Sequence, residues 1–339
     1  MFFGNHSQLG LAAKIPVPDP DPVLSYSPVV LDNIPNRPAP LQMRISVPCP
    51  SSSPSTPAAL PIILLAHGLG PSSFLSSHEG YTPLADFLAG RGFAVIQPTF
   101  LYSKFYDPSQ VPTDEQGNEA HWKTSARDLV QILDRLGEIE AAVPGFLSSG
   151  RHLDRDRIGL VGHSFGAATA NLLLGLVNTD PRDNTTFGAR EDRIKAGVLL
   201  AAAGAGPLET ETGRQIIPFY GPDFTHLTAP TLVVAGDEDT SLHLAPTRGP
   251  EFHMDAYRLA PGPKNLLTVR GARHGLGGVA GWDAVEIPED AANPQRLGAV
   301  QRMTWAYLRS QLYEGDAAWA DACEAMRGLA ELGDVQHKS

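Results

Sequence analysis

The chain has 339 residues, 42% hydrophobic and 19% charged, with a formal net charge of −11. That balance fits a soluble globular enzyme or binding protein, and the acidic excess argues against nucleic-acid partners, because a phosphate backbone demands a basic face. No apolar run approaches the length that spans a bilayer, so no transmembrane segment is expected.

The opening residues, MFFGNHSQLGLAAKIPVPDP, lack the basic region, apolar core and small-residue cleavage site of a secretory leader, which makes a cytoplasmic protein the expectation unless a leader has been removed. Cys49 and Cys323 are the two cysteines, far apart in sequence, and allow either one disulfide near the termini or two inert thiols. Residues 1–60 read as a proline- and serine-rich extended segment with two edge strands, PVLSYSPVVLD and PLQMRISVP, separated by the turn-forming NIPNRPAP.

From residue 61 the rhythm changes. IILLAHGLG is a strand ending in a glycine loop, YTPLADFLAGRG a helix, FAVIQPTF a strand and SARDLVQILDRLGEIEA an amphipathic helix. RIGLV is a short buried strand introduced by the charged run HLDRDR, and Ala167 to Leu176 is rich in alanine and leucine, so the chain passes directly from strand to helix at Ser164. IKAGVLLAAAG, APTLVVAGDEDT and NLLTVRGARHG follow as three more strands, then QRLGAVQRMTWAYLRSQLY as a helix, and residues 313–339 as a closing helix and tail. This alternation predicts an α/β fold over residues 61–312, a mostly parallel sheet with helices on both faces and a catalytic crevice beyond the carboxyl ends of the strands.

The stretch around Ser164, GHSFG, is the pattern of a nucleophile elbow, in which glycines two before and two after the serine let helix and strand approach. The plainer reading is a helix-capping serine in a glycine-rich turn. A nucleophilic serine needs a base, and His274 stands directly after a predicted strand in the glycine-flanked loop VRGARHGLGG. His253 and His337 have no strand before them, and His163, beside the serine, is expected to point away from the crevice. The base needs a carboxylate. Asp237, Glu238 and Asp239 end the strand LVVAG, and any of them could serve; Asp239 is the choice because it lies far enough past the strand to curl toward the histidine loop, whereas Asp237 suits the turn itself. Backbone N–H groups of Phe165, at the elbow, and of Leu69, in AHGLGPSS, are the expected oxyanion donors.

That glycine loop is not a dinucleotide fingerprint, which would need glycine where Ser73 stands. His67, His78, Glu79 and His121 show no metal-site spacing, so neither a cofactor nor a metal is expected.

Across roughly residues 60–312 these motifs resemble the α/β-hydrolases. HGLG together with LDRDRIGLVGHSFGAAT is similar to type II platelet-activating-factor acetylhydrolases and their chlorophyllase-like and dienelactone-hydrolase-like relatives, and the DT and GARH loops are similar to those of cutinases and polyester hydrolases. The resemblance implies serine-ester hydrolysis with Ser164, Asp239 and His274 as the triad and Leu69 and Phe165 as oxyanion donors. Ala167 departs from the second glycine that many relatives carry after the elbow.

About 25 residues separate the strands between which many lipases insert a cap, so no large cap domain is expected. Tyr102, Phe105, Tyr106, Phe219, Tyr220 and Phe224 are candidates to line an ester pocket, with ordinary loop anchoring as the alternative for each. The expected substrate is a small or polymeric ester with a short acyl group or a bulky alcohol. Thioester or amide hydrolysis on the same triad is the alternative, and a non-catalytic ligand-binding protein a more distant one.

Overall fold

The computed structural model describes residues 7–49, 58–70, 72–107, 111–113, 117–143, 145–146, 149–281 and 293–339. In chain order the main elements are β1 (Val23–Leu31), β2 (Leu41–Pro48), β3 (Ala59–Ala66), α1 (Thr82–Ala89), β4 (Ala94–Pro98), α2 (His121–Asp134), α3 (Leu136–Ala142), β5 (His152–His163) and α4 (Phe165–Leu174). They continue as β6 (Val177–Thr179), β7 (Thr186–Gly188), β8 (Ile194–Leu200), α5 (Glu211–Ile216), β9 (Pro222–Asp223), β10 (Thr231–Gly236), α6 (Asp255–Leu259), β11 (Lys264–Val269), α7 (Pro294–Leu312), α8 (Ala318–Arg327) and β12 (Gly333–Lys338).

The nine-stranded sheet has the order β1-β2-β4-β3-β5-β8-β10-β11-β12. Strands β4 through β11 in that order run parallel, whereas β1, β2 and β12 join antiparallel. Parallel strands need both faces covered, and the side chains alternate accordingly. On β3, Ile62 and Leu64 enter one core with Leu129 of α2, Ile139 of α3 and Ala170 of α4. Ile63 and Leu65 enter the other with Leu84 of α1, Met303 of α7 and Ala322 of α8. The expected architecture is therefore the one observed.

The structure also redraws several elements. PVLSYSPVVLD supplies the edge strand β1, but PLQMRISVP is interior, hydrogen-bonded to β1 on one side and β4 on the other. The charged run HLDRDR belongs to β5 itself: His152–Asp154 pair with Ala59–Pro61, and the register shifts before Ile158. The closing tail is β12, paired with β11. Its sequence GDVQHK has no apolar alternation because an edge strand is half exposed. Between β8 and β10 the chain forms no helical cap; instead α5 and β9 lie there, and β9 completes a small sheet of order β7-β6-β9. Cys49 and Cys323 are free thiols, and burial pushes Cys323 up to about 11.

The turn between β1 and β2 is tied to the body by Arg37. Its Nε donates to Asp128 Oδ1 of α2 at 3.0 Å, and its remaining N–H groups donate to the carbonyls of Ala39, Pro40 and Thr99. Both side chains are 1% exposed. Burial raises the Asp128 carboxyl to about 6 even against Arg37, so the pair holds position more than it adds attraction. Arg37→Met strands the buried carboxylate. It is expected to cost about 3–5 kcal/mol in denaturant unfolding at neutral pH, with part of the loss recovered near pH 5, where Asp128 takes up a proton.

Candidate active site

Because β3, β5, β8, β10 and β11 are parallel, their carboxyl ends meet along one edge of the sheet, and each contributes a loop to the site. The sharpest of these turns is at Ser164. Its φ of 53° and ψ of −118° are strained for a residue with a side chain, and α4 begins at the next residue. The turn closes only because its flanks lack side chains. A Cβ on Gly162 would stand 2.4 Å from the Gly166 carbonyl oxygen, and one on Gly166 would stand 2.2 Å from that of Ala66. Ser164 is thereby left half-buried, bordering the hollow at the crevice.

His274 and Asp239 meet it there. His274 Nε2 lies 2.9 Å from Ser164 Oγ, and Nδ1 lies 2.9 Å from Asp239 Oδ2. Asp239 is 4% exposed. Burial works to raise its pKa, but the charge of His274 and hydrogen bonds from His253 and His274 outweigh burial and hold the carboxyl well below the usual carboxylate range. The backbone N–H of Ser241 donates to Oδ1. Asp237 faces elsewhere: it accepts from Gly271 N–H at 2.6 Å and from Arg270, and Glu238 pairs with Arg273 at the surface. The structure thus brings together Ser164, His274 and Asp239.

Beneath the site runs a chain of groups that the sequence did not reveal. Tyr81 Oη accepts the Gly68 N–H at 2.9 Å and donates to His163 Nδ1 at 2.8 Å, while His163 Nε2–H donates to the His274 carbonyl at 2.8 Å. For Nδ1 to accept, His163 must be neutral. Burial, with smaller repulsion from His274, brings it to about 3. So His163, although outside the crevice as expected, joins the glycine loop to the backbone of His274. His67 is likewise neutral, at about 4 through burial, and ties that loop to the segment after β4: Nδ1 meets the Gly68 carbonyl, and Nε2 accepts from the Phe100 N–H. The signal for Tyr81 is a positive φ that no sequence pattern marks. Outside Gly and Asn, the described residues with positive φ are Tyr81, Ser164, Ala201, Ser241 and Leu276, and every one borders the site.

A hollow of about 50 Å³ opens beside Ser164, bordered by Leu69, Phe165, Ala168, Tyr220 and His274. A smaller one of about 10 Å³ lies beyond Phe165, Ala168 and Tyr220, toward Trp122 and Phe219. Of the six aromatics proposed from sequence, Tyr220 borders the first and Phe219 the second. Tyr102 packs behind Phe165 with ring centroids 4.5 Å apart and donates to the His67 carbonyl, which makes it a support. Phe105 and Tyr106 meet edge to face, with Tyr106 donating to the Pro40 carbonyl, and Phe224 is buried in the core; they border neither hollow.

Asp239, His253 and His274 form the group of potential metal-ligating side chains found among the described residues, with ligand atoms within 4.8 Å of one another. Both imidazoles hydrogen-bond the same carboxylate oxygen, so the cluster is an acid–histidine network. No helix among the described residues is long and apolar enough to cross a membrane.

Compared with known protein families, the chain matches the alpha/beta hydrolase family over residues 63–336. Among curated proteins no match is found.

Tyr81→Phe keeps the ring and deletes the hydroxyl, leaving a buried N–H and a buried ring nitrogen without their partner. A loss of about 1–3 kcal/mol of stability is expected by denaturant unfolding.

Proposed function

Given that the chain belongs to the alpha/beta hydrolase family, we propose that it is a serine hydrolase of carboxylic esters, working through an acyl-enzyme. The observation that carries this reading is the single imidazole of His274 placed 2.9 Å from Ser164 Oγ on one side and 2.9 Å from Asp239 Oδ2 on the other. Serine is a weak nucleophile until its proton has somewhere to go. Here neutral His274, held by Asp239 with its proton on Nδ1, offers Nε2 to that proton as Oγ attacks the ester carbonyl.

The tetrahedral oxyanion is received by the backbone N–H groups of Phe165 and Leu69. Phe165 is the first residue of α4, whose leading N–H groups have no partner inside the helix and carry the positive end of its dipole. Leu69 borders the same hollow, and Gly68 before it packs so close that a Cβ there would lie 3.1 Å from Ser164 Cβ. Protonated His274 then gives its proton to the departing alcohol. Water, deprotonated by the same nitrogen, attacks the acyl-enzyme and releases the acid, with Ser164 regaining its proton.

The substrate class follows from the shape of the site. Between β8 and β10 lie α5 and β9 in place of a cap, and the hollow beside Ser164 is only about 50 Å³; the small hollow is assigned to the acyl group, and the uncapped mouth leaves the alcohol unconfined. Esters of short acids with bulky alcohols, including polyesters, suit it. The GHSFG and GARH loops, similar to those of acetylhydrolases and cutinases, support the same choice.

Ser164→Ala is expected to abolish both p-nitrophenyl ester turnover and labelling by a fluorophosphonate while leaving the unfolding transition in place. Asp239→Asn should lower kcat by orders of magnitude and Asp237→Asn by little; the opposite ranking would move the acid to Asp237. In a series of p-nitrophenyl esters, kcat/KM is expected to peak between acetyl and butyryl, because each methylene left in water forgoes about 0.8 kcal/mol. An optimum at dodecanoyl or longer would overturn the short-acyl choice.

A further inference from the structure

His253, near the end of the 3-10 helix Gly249–Met254, has no place in the hydrolytic steps above, yet its ring centroid is 5.5 Å from that of His274. It is 1% exposed. Its Nδ1 lies 2.9 Å from the Ala202 carbonyl, and its Nε2 lies 2.7 Å from Ser241 Oγ and 3.2 Å from Asp239 Oδ2. Ser241 Oγ in turn lies 3.0 Å from the Gly249 carbonyl.

These partners determine where the protons must be. Two carbonyls and a carboxylate can only accept. With Nδ1 unprotonated, a lone pair would face the Ala202 oxygen. With Nε2 unprotonated, a lone pair would face Asp239, and the Ser241 hydroxyl, turned toward the ring, would abandon Gly249. Only the doubly protonated ring satisfies every contact: Nδ1–H to Ala202, Nε2–H shared between Asp239 and Ser241 Oγ, and the serine hydroxyl to Gly249.

We propose that His253 is a positioning residue: held as an imidazolium, it gives a second N–H to the carboxylate oxygen that orients His274, and its positive charge opposes protonation of His274. The proposal rests on the ester-hydrolase reading of Ser164, His274 and Asp239.

Asp239 Oδ2 accepts from both imidazoles and Oδ1 from the Ser241 N–H, so the carboxylate has little freedom to turn. Hydrogen bonding from His253 is among the causes that keep this buried acid ionised. The other groups facing the pair do not compete. His163, packed against His274 from β5, is neutral; Glu238 and Arg273 pair with each other at the surface; and Arg248, lying over the Phe252 ring, is bound to Asp255. The consequence for pH follows in sign. His274 works when neutral, so activity falls as pH drops through its titration. A cation beside it moves that midpoint down, and removing the cation moves it up.

The test is His253→Gln, which keeps an N–H donor and deletes the charge. The midpoint of the acid limb of kcat/KM for p-nitrophenyl acetate should rise by about one pH unit, as expected for a unit charge a few ångströms away in a partly buried site. The titration of His274, followed by proton–nitrogen NMR in both proteins, should rise equally. A role in folding alone would lower kcat at every pH and leave both midpoints in place, and that result, or a downward shift, overturns the proposal. Should the variant fail to fold, NMR of the wild-type protein decides: both ring nitrogens of His253 protonated at pH 7.5 support it, and a neutral tautomer overturns it. Absence of wild-type turnover and of fluorophosphonate labelling would defeat the ester reading, while the NMR titrations would still judge His253.

Discussion

Helix α4 touches strand β3 through bare backbone: the closest approach at Gly166 leaves no room for even one carbon beside the Ala66 carbonyl. Everything at the site depends on that contact. It sets how sharply β5 can turn, forces Ser164 into a positive φ, and places the first N–H groups of α4 beside its hydroxyl. A residue with a side chain at Gly162 or Gly166 would push helix from strand and withdraw the Ser164 hydroxyl and the helix terminus together.

Backbone strain is concentrated where geometry matters. Five side-chain-bearing residues around the site, other than Asn, adopt positive φ, each costing on the order of 1–3 kcal/mol. They persist because the surroundings allow no alternative. Two apolar cores, one on each face of the sheet, anchor the strands from which the loops spring. Buried hydrogen bonds then fix the loops to one another, from Gly68 through Tyr81 and His163 to His274, and from Ala202 through His253 to Asp239. The loops at the site are thus positioned by buried histidines and backbone carbonyls beneath them, and the burial that keeps His163 and His67 uncharged is itself what makes them usable as acceptors.

Ser164 was legible because an elbow needs glycine at fixed offsets and a strand and helix of opposite periodicity on either side, all of it local. His274 and Asp239 were legible for a related reason: parallel strands align their carboxyl ends, so a histidine and an acid following two strands are brought to one edge by topology. The pocket was not legible. Six aromatics stood in loops at the correct end, but whether a ring faces a hollow, a neighbouring ring or a backbone carbonyl depends on packing among segments distant in sequence. Tyr220 reached the hollow, and Tyr102 became a support behind Phe165.

What the sequence by itself determined was periodic and local: the strand–helix alternation, the elbow, and the edge of the sheet to which Ser164, Asp239 and His274 each belong. The tertiary structure alone decided the rest. It placed PLQMRISVP inside the sheet and made a polar tail its last strand, because pairing through backbone hydrogen bonds needs no apolar side chains. It also chose which of eleven histidines act as supports. An imidazole becomes a donor, an acceptor or a cation according to the oxygens and N–H groups around it, and those arrive from segments that only folding brings within 3 Å or so.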